Sequence, residues 1–152
     1  MSTLPKAHLT AVDTWEGSDE EKGRDTLNLA EKRFDSNLER YKDRLEKYKG
    51  SSYSFFQTCG DKRFDFVYID GSHHADDVIC DAIKAFERLR VGGVLIFDDY
   101  LWRHYKRPSD NPAGAINVFL KMKSGTYELL AVYHQVAIRK TKESLFSKVD
   151  YA

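Results

Sequence analysis

The sequence predicts an α/β fold on a mostly parallel sheet, and three observations within residues 64–100 carry the prediction. Phe64 to Ile69 is a short apolar run that stops on Asp70, and Val94 to Phe97 is a second that stops on Asp98-Asp99. Between them Val78, Ile79, Ala82, Ile83, Phe86 and Leu89 recur at spacings of three and four, the period of an amphipathic helix. Gly92-Gly93 comes after that periodicity, where a helix is expected to end. A right-handed crossover places both strands in one sheet, so Asp70 and Asp98-Asp99 share one rim. Both runs read as apolar on both faces, as central parallel strands do. The rim beyond their C-terminal ends is where open α/β sheets bind ligands.

The remaining elements are taken in chain order. His8 to Val12 alternates weakly and ends on Asp13, which reads as a short strand with an acidic tip. Asp13 either serves a ligand, begins a turn or caps the next helix. Trp15 flanks a ligand ring or covers the sheet edge. Gly17 to Asp25 is a charged loop. From Thr26, Leu27, Ala30, Phe34, Leu38 and Tyr41 step by three and four, an amphipathic helix too short for a coiled coil. Over Arg44 to Cys59 the pattern alone lets that helix run on through Leu45 and Tyr48 to Gly50, with SSYSFFQ as a strand. Gly60-Asp61 turns the chain into the run at Phe64. After Tyr100, LWRHYKRPSDNPAG is a polar, proline-containing loop on the ligand-bearing rim, a lid or substrate-binding segment. Ala115 to Met122 is a short helix with Ile116, Phe119 and Leu120 inward, ended by Gly125. Tyr127 to Tyr133 and Gln135 to Arg139 are β-rich runs, and the tail from Thr141 frays or lies on the surface.

Size and composition fit one soluble domain, residues 1–152. Hydrophobic residues make up 41% and charged residues 32%. The 24 Lys and Arg balance the 24 Asp and Glu, so no net field draws the chain to nucleic acid or to a membrane surface. No apolar run approaches the roughly 20 residues of a membrane span, and the N-terminus carries no apolar signal region. Cys59 and Cys80 lie far from any CxxC pattern, and Cys80 reads as core packing. A reduced, cytoplasmic setting is expected.

DFVYIDGSHHADDV, LRVGGVLIFDDYLW and AINVFL, in this order and spacing, resemble the second half of class I S-adenosylmethionine-dependent methyltransferases. The similarity is to the small-molecule O-methyltransferase branch with a YIDGSH…GG…DDY signature. It implies a Rossmann-like sheet with an antiparallel strand near the C-terminal edge. It also implies a short strand at Leu45–Lys49, and a small helix opened by Gly50, Ser51 and Ser52 near the adenine. Asp13 then corresponds to the acidic tip that accepts hydrogen bonds from the ribose hydroxyls, with Trp15, Asp70, Gly71 and Ser72 as further cofactor contacts.

The chain starts where the family's second strand starts, and no GxGxxG or ExGxxxG occurs in it. The resemblance therefore implies an N-terminally truncated methyltransferase domain, whose second and fourth family strands either pair directly or leave exposed sheet edges that invite homodimerisation. Catechol-type relatives hold Mg²⁺ with acidic residues after the fourth and fifth strands, which correspond to Asp70, Asp98 and Asp99. His73 stands where they carry a catalytic base, beside Asp70. The competing reading makes Asp98 or Asp99 a loop cap and His73 or His74 a helix cap, with Asp76 and Asp77 as helix-dipole partners. The implied activity is O-methylation of a small-molecule acceptor. The alternative is a non-catalytic remnant that serves as an interaction or oligomerisation module. A different nucleotide-binding enzyme is disfavoured, since Gly92-Gly93 precedes a strand.

Without a glycine-rich loop, this chain alone is expected to bind S-adenosylmethionine weakly or not at all; a calorimetric titration giving micromolar affinity would refute that.

Overall fold

A computed structural model describes residues 6–17 and 27–143, with side chains described from residue 29 in the second stretch. Most of the charged loop expected at Gly17 to Asp25, the helix start at Thr26 and the tail beyond residue 143 lie outside the described residues. The chain divides into two compact units, residues 1–59 and 60–152.

In the first unit, β1 (Leu9–Asp13) pairs in parallel with β2 (Leu45–Lys49), in a register that sets Asp13 opposite Lys49. Helix α1 (Leu27–Leu38) precedes a 3-10 turn over Glu39–Arg44. The short strand at Leu45–Lys49 that the resemblance implied is present, and the run-on of α1 to Gly50 that the pattern alone allowed does not form, because the chain leaves helical geometry at Leu45 (φ −115°, ψ 121°) and enters β2. SSYSFFQ is helical, as the resemblance implied, rather than the strand that the pattern alone allowed: α2 spans Ser52–Thr58, with the Ser51 hydroxyl capping it by accepting from Ser54 N at 3.2 Å. Periodicity misread this stretch because Leu45, Tyr48 and Phe55 satisfy a helical spacing whether or not the backbone continues. Tyr48 and Phe55 instead meet edge to face across the turn, 5.3 Å between centroids.

In the second unit, four strands lie in the order β3 (Phe64–Ile69), β4 (Leu89–Phe97), β6 (Val136–Lys140), β5 (Tyr127–Val132). β3 and β4 are parallel and β6 is antiparallel to both its neighbours, so the single reversed strand predicted near the C-terminal edge is present. Helices α3 (Ala75–Arg88) and α4 (Pro112–Met122) pack on each other, and α3 also packs on β3 and β4. The core is Phe86, Phe97 and Phe119 in edge-to-face contact, surrounded by Leu89, Leu95, Ile116, Val136 and Ile138. Lys140 is fully buried there, and its ammonium donates to the Phe86 and Leu89 carbonyls at the end of α3 at 3.0 and 2.8 Å and to Glu143. It thus serves as a cationic helix C-cap supplied by a strand.

Three expectations need correction. Gly92-Gly93 does not end α3, which stops at Arg88; the pair lies inside β4. There Phe64 pairs with Leu89 but Phe66 pairs with Val94, so Arg90–Gly93 bulge out of the ladder. Gly92 takes φ +89°, and a side chain on Gly93 would meet the Arg90 and Asp65 carbonyl oxygens at 2.9 and 3.0 Å. The glycines therefore serve the bulge. Second, among the described residues β3 lies at the edge of its four-stranded sheet rather than inside it, and Phe66 and Tyr68 are 56% and 42% exposed. Third, Cys80 is exposed on α3, whereas Cys59 is buried. No helix among the described residues is long and apolar enough to cross a membrane.

The Gly93 contact is with backbone, which cannot step aside. Gly93→Ala is expected to lower stability by about 1–3 kcal/mol in urea denaturation, whereas Gly71→Ala, where the added methyl meets only the Asp81 carboxylate at 3.7 Å, changes it far less.

Candidate active site: a carboxylate rim with a stacked histidine

The parallel register pairs Ile69 with Phe97, and Asp98 N donates to the Ile69 carbonyl at 2.9 Å. β3 and β4 therefore end level, and the residues just past each end are Asp70 and Asp98-Asp99. One oxygen from each of these three carboxylates lies within 4.8 Å of the others. The predicted shared rim of Asp70, Asp98 and Asp99 is present. Gly71, Ser72 and His73 line the same depression, floored by Val78 and Phe97.

Each rim carboxylate of β4 is held by its own donors. Asp98 accepts from the Tyr68 hydroxyl, from Asp99 N at 2.9 Å and from Gln135 Nε2 at 3.2 Å. Partial burial pushes its carboxyl up, but these donors outweigh burial and hold it below the usual carboxylate range. The same contact with Asp98, with burial and the neighbouring aspartates, pushes the Tyr68 phenol up to about 12. Gln135, in the turn between β5 and β6, also donates to the Tyr68 hydroxyl at 2.8 Å, closing a three-residue network across the sheet. Asp99 takes a left-handed backbone (φ 53°), which aspartate tolerates better than most residues, and its Oδ2 lies 3.0 Å from His73 Nε2.

The loop after β4, expected as a lid or substrate segment, is strapped down. Trp102 stacks flat on His73 (4.4 Å, 13°) and Tyr105 on His74 (4.6 Å, 15°), and the two loop rings meet edge to face at 4.7 Å. Tyr105 OH pairs with His74 Nε2 at 3.1 Å. Buried Asn111 clasps the loop backbone, bonding Tyr105 N and the Tyr105 and Arg107 carbonyls at 3.0–3.2 Å. His74 is the N-cap residue of α3 by position, but it makes no side-chain cap bond. Asp76 and Asp77 occupy the first turn, favourable to the helix dipole.

The predicted cofactor residues divide between the units. In the first unit Asp13, Trp15, Gly50, Ser51 and Ser52 gather at the C-terminal ends of β1 and β2, where Gly50 N donates to the Asp13 carbonyl at 2.8 Å. Asp13 Oδ1 accepts from Trp15 N at 2.7 Å, the turn role that the sequence also allowed. The Trp15 ring meets Phe34 edge to face at 5.3 Å and carries the Lys47 ammonium 4.6 Å from its centre. In the second unit Ser72 Oγ accepts from His74 N at 3.2 Å. Sequence reading missed Tyr68, Gln135, Trp102 and Tyr105. Tyr68 carried a signal, since it lies two residues before Asp70 on the same strand face. Gln135 carried none, because its role depends on the β5–β6 turn folding back.

The family described as "Methyltransferase domain" matches residues 2–100. The chain belongs to that family. Its fold is similar to that of the O-methyltransferase TomG from Streptomyces achromogenes, involved in tomaymycin synthesis and solved with SAM. The TM-score is 0.61 at 15% identity, over 91% of this chain and 64% of that one. An O-methyltransferase from Bacillus cereus solved with SAH gives 0.56 at 17% identity, over 88% and 63%. MycE, of the mycinamycin biosynthetic pathway, solved with Mg, SAH and mycinamycin VI, gives 0.58 at 14% identity, over 92% and 47%. The chain thus spans less than two thirds of each of these proteins, and at such identities the likeness establishes a Rossmann-like methyltransferase fold. A search of curated proteins finds no match.

The raised Tyr68 pKa means that the neutral phenol's contribution to stability is present below about pH 10 and lost as pH climbs toward 12. The lowered Asp98 pKa gives a contribution present above the ordinary carboxylate range and lost as pH falls through the lower folded value. Tyr68→Phe is therefore expected to move the acid-unfolding midpoint to higher pH, read by circular dichroism. Asp98→Asn should return Tyr68 toward the ordinary phenol range near 10, read by tyrosinate absorbance.

Proposed function

We propose that this chain serves S-adenosylmethionine-dependent methylation of a hydroxyl on a small molecule, assisted by a divalent cation at Asp70, Asp98 and Asp99. The observation that carries the reading is the convergence of those three carboxylates within 4.8 Å in a methyltransferase-family chain. The donor set is all oxygen, which fits a hard cation such as Mg²⁺. When bound, such an ion polarises the acceptor hydroxyl and lowers its pKa.

The chain's own residues would supply the rest. Asp70, Asp98 and Asp99 hold the acceptor side. Of the residues proposed for the donor, Asp13, Trp15 and Gly50–Ser52 belong to the first unit and Asp70–Ser72 to the second. The acceptor oxygen forms its bond to the methyl carbon as the carbon–sulfur bond breaks, and the sulfonium leaves as the neutral thioether. His73 is proposed to accept the hydroxyl proton at Nδ1, the nitrogen that carries no proton while Nε2 donates to Asp99.

Because the donor is expected to bind weakly, the test is transfer of a labelled methyl group to a panel of small hydroxylated acceptors at a large excess of S-adenosylmethionine, with Mg²⁺ and with EDTA. Transfer is expected to require the cation and to fail in Asp70→Asn. His73→Gln is expected to lower kcat by about 10²–10⁴-fold. Transfer that persists in EDTA and in Asp70→Asn overturns the cation reading.

A further inference from the structure

Asp99, His73 and Trp102 form a closed circuit. The chain turns at Asp99, and Trp102 N donates to the Asp99 carbonyl at 3.0 Å. The Trp102 indole lies flat against the His73 imidazole, 4.4 Å between centroids and 13° from parallel. His73 Nε2 returns to Asp99 Oδ2 at 3.0 Å. Backbone, ring stack and side chain thus bind the same three residues in sequence. Trp102 is itself braced, edge-on to Tyr105 at 4.7 Å, and Tyr105 is held by His74 and by Asn111.

We propose that Trp102 is a positioning residue whose indole sets the plane of the His73 imidazole and so keeps Nε2 on the Asp99 carboxylate. The terminal torsion of a histidine is broad, so a single hydrogen bond leaves the ring free to swing about it. A flat aromatic neighbour removes that freedom. An ionised carboxylate only accepts hydrogen bonds, so the neutral ring in this arrangement carries its proton on Nε2. The stack thereby selects a tautomer as well as a plane. Its functional meaning rests on the proposed cation site: partners that orient a liganding carboxylate govern the affinity of the whole set. The ring geometry itself does not depend on that reading.

The experiment is imidazole ¹⁵N and ring-proton NMR on histidine-labelled protein, with His73 assigned by its loss in His73→Gln. The wild type is expected to show a single Nε2–H tautomer for His73, with ring protons displaced upfield by the indole. Trp102→Leu should lose the upfield displacement and give a tautomer mixture, and Trp102→Phe should retain both signatures. A single tautomer that survives in Trp102→Leu overturns the proposal. Asp99→Asn provides a check that leaves Trp102 in place: the upfield displacement is expected to persist, and its loss would show that Asp99, not Trp102, sets the ring plane. Mn²⁺ titration forms a separate arm, in which affinity is expected to fall about 10-fold or more in Trp102→Leu and to be kept in Trp102→Phe. Wild-type protein that binds no Mn²⁺ refutes the cation reading, and the tautomer spectra then decide the role of Trp102.

Discussion

The parallel pairing of β3 with β4, level at Ile69 and Phe97, is the constraint on which the rest of the second unit depends. It brings three aspartates to one short length of rim, and like charges at such separations repel. The surroundings answer that repulsion with donors. Tyr68 comes from β3, Gln135 from the β5–β6 turn, a backbone N–H from the rim itself and an imidazole from the β3–α3 connection. These donors keep at least Asp98 ionised, which a cluster of carboxylates without them would resist.

The same rim explains the order of the loop after β4. A segment of polar and aromatic residues beyond a strand end is ordinarily mobile. Here each anchoring ring of the loop lies against a histidine of the β3–α3 connection, and a buried asparagine replaces the missing secondary-structure ladder. Two loops that belong to different strands are thereby joined by side chains alone, and the carboxylates between them are held from both sides.

Much of the architecture was legible in the chain. The runs ending at Asp70 and at Asp98-Asp99 report strand and strand end together, because apolar residues stop where the sheet stops. The α3 periodicity was equally plain, since its apolar face meets α4 and the sheet. Gly92-Gly93 misled because glycine marks both helix ends and bulges, and only the partner strand distinguishes the two. Cys80 misled because a helical position between apolar neighbours still turns outward when the stripe drifts past it.

By itself the sequence determined the order of elements from β3 onward, the parallel pairing of β3 and β4 and the identity of the rim acids, since each follows from local hydrophobic pattern and from the handedness of a crossover. The tertiary structure decided what those acids touch. Tyr68 and Gln135 are 67 positions apart, and His73 and Trp102 are 29 apart, yet each pair is in contact. Such contacts depend on which strand ends lie level and where a turn folds back, and no local pattern of residues encodes either.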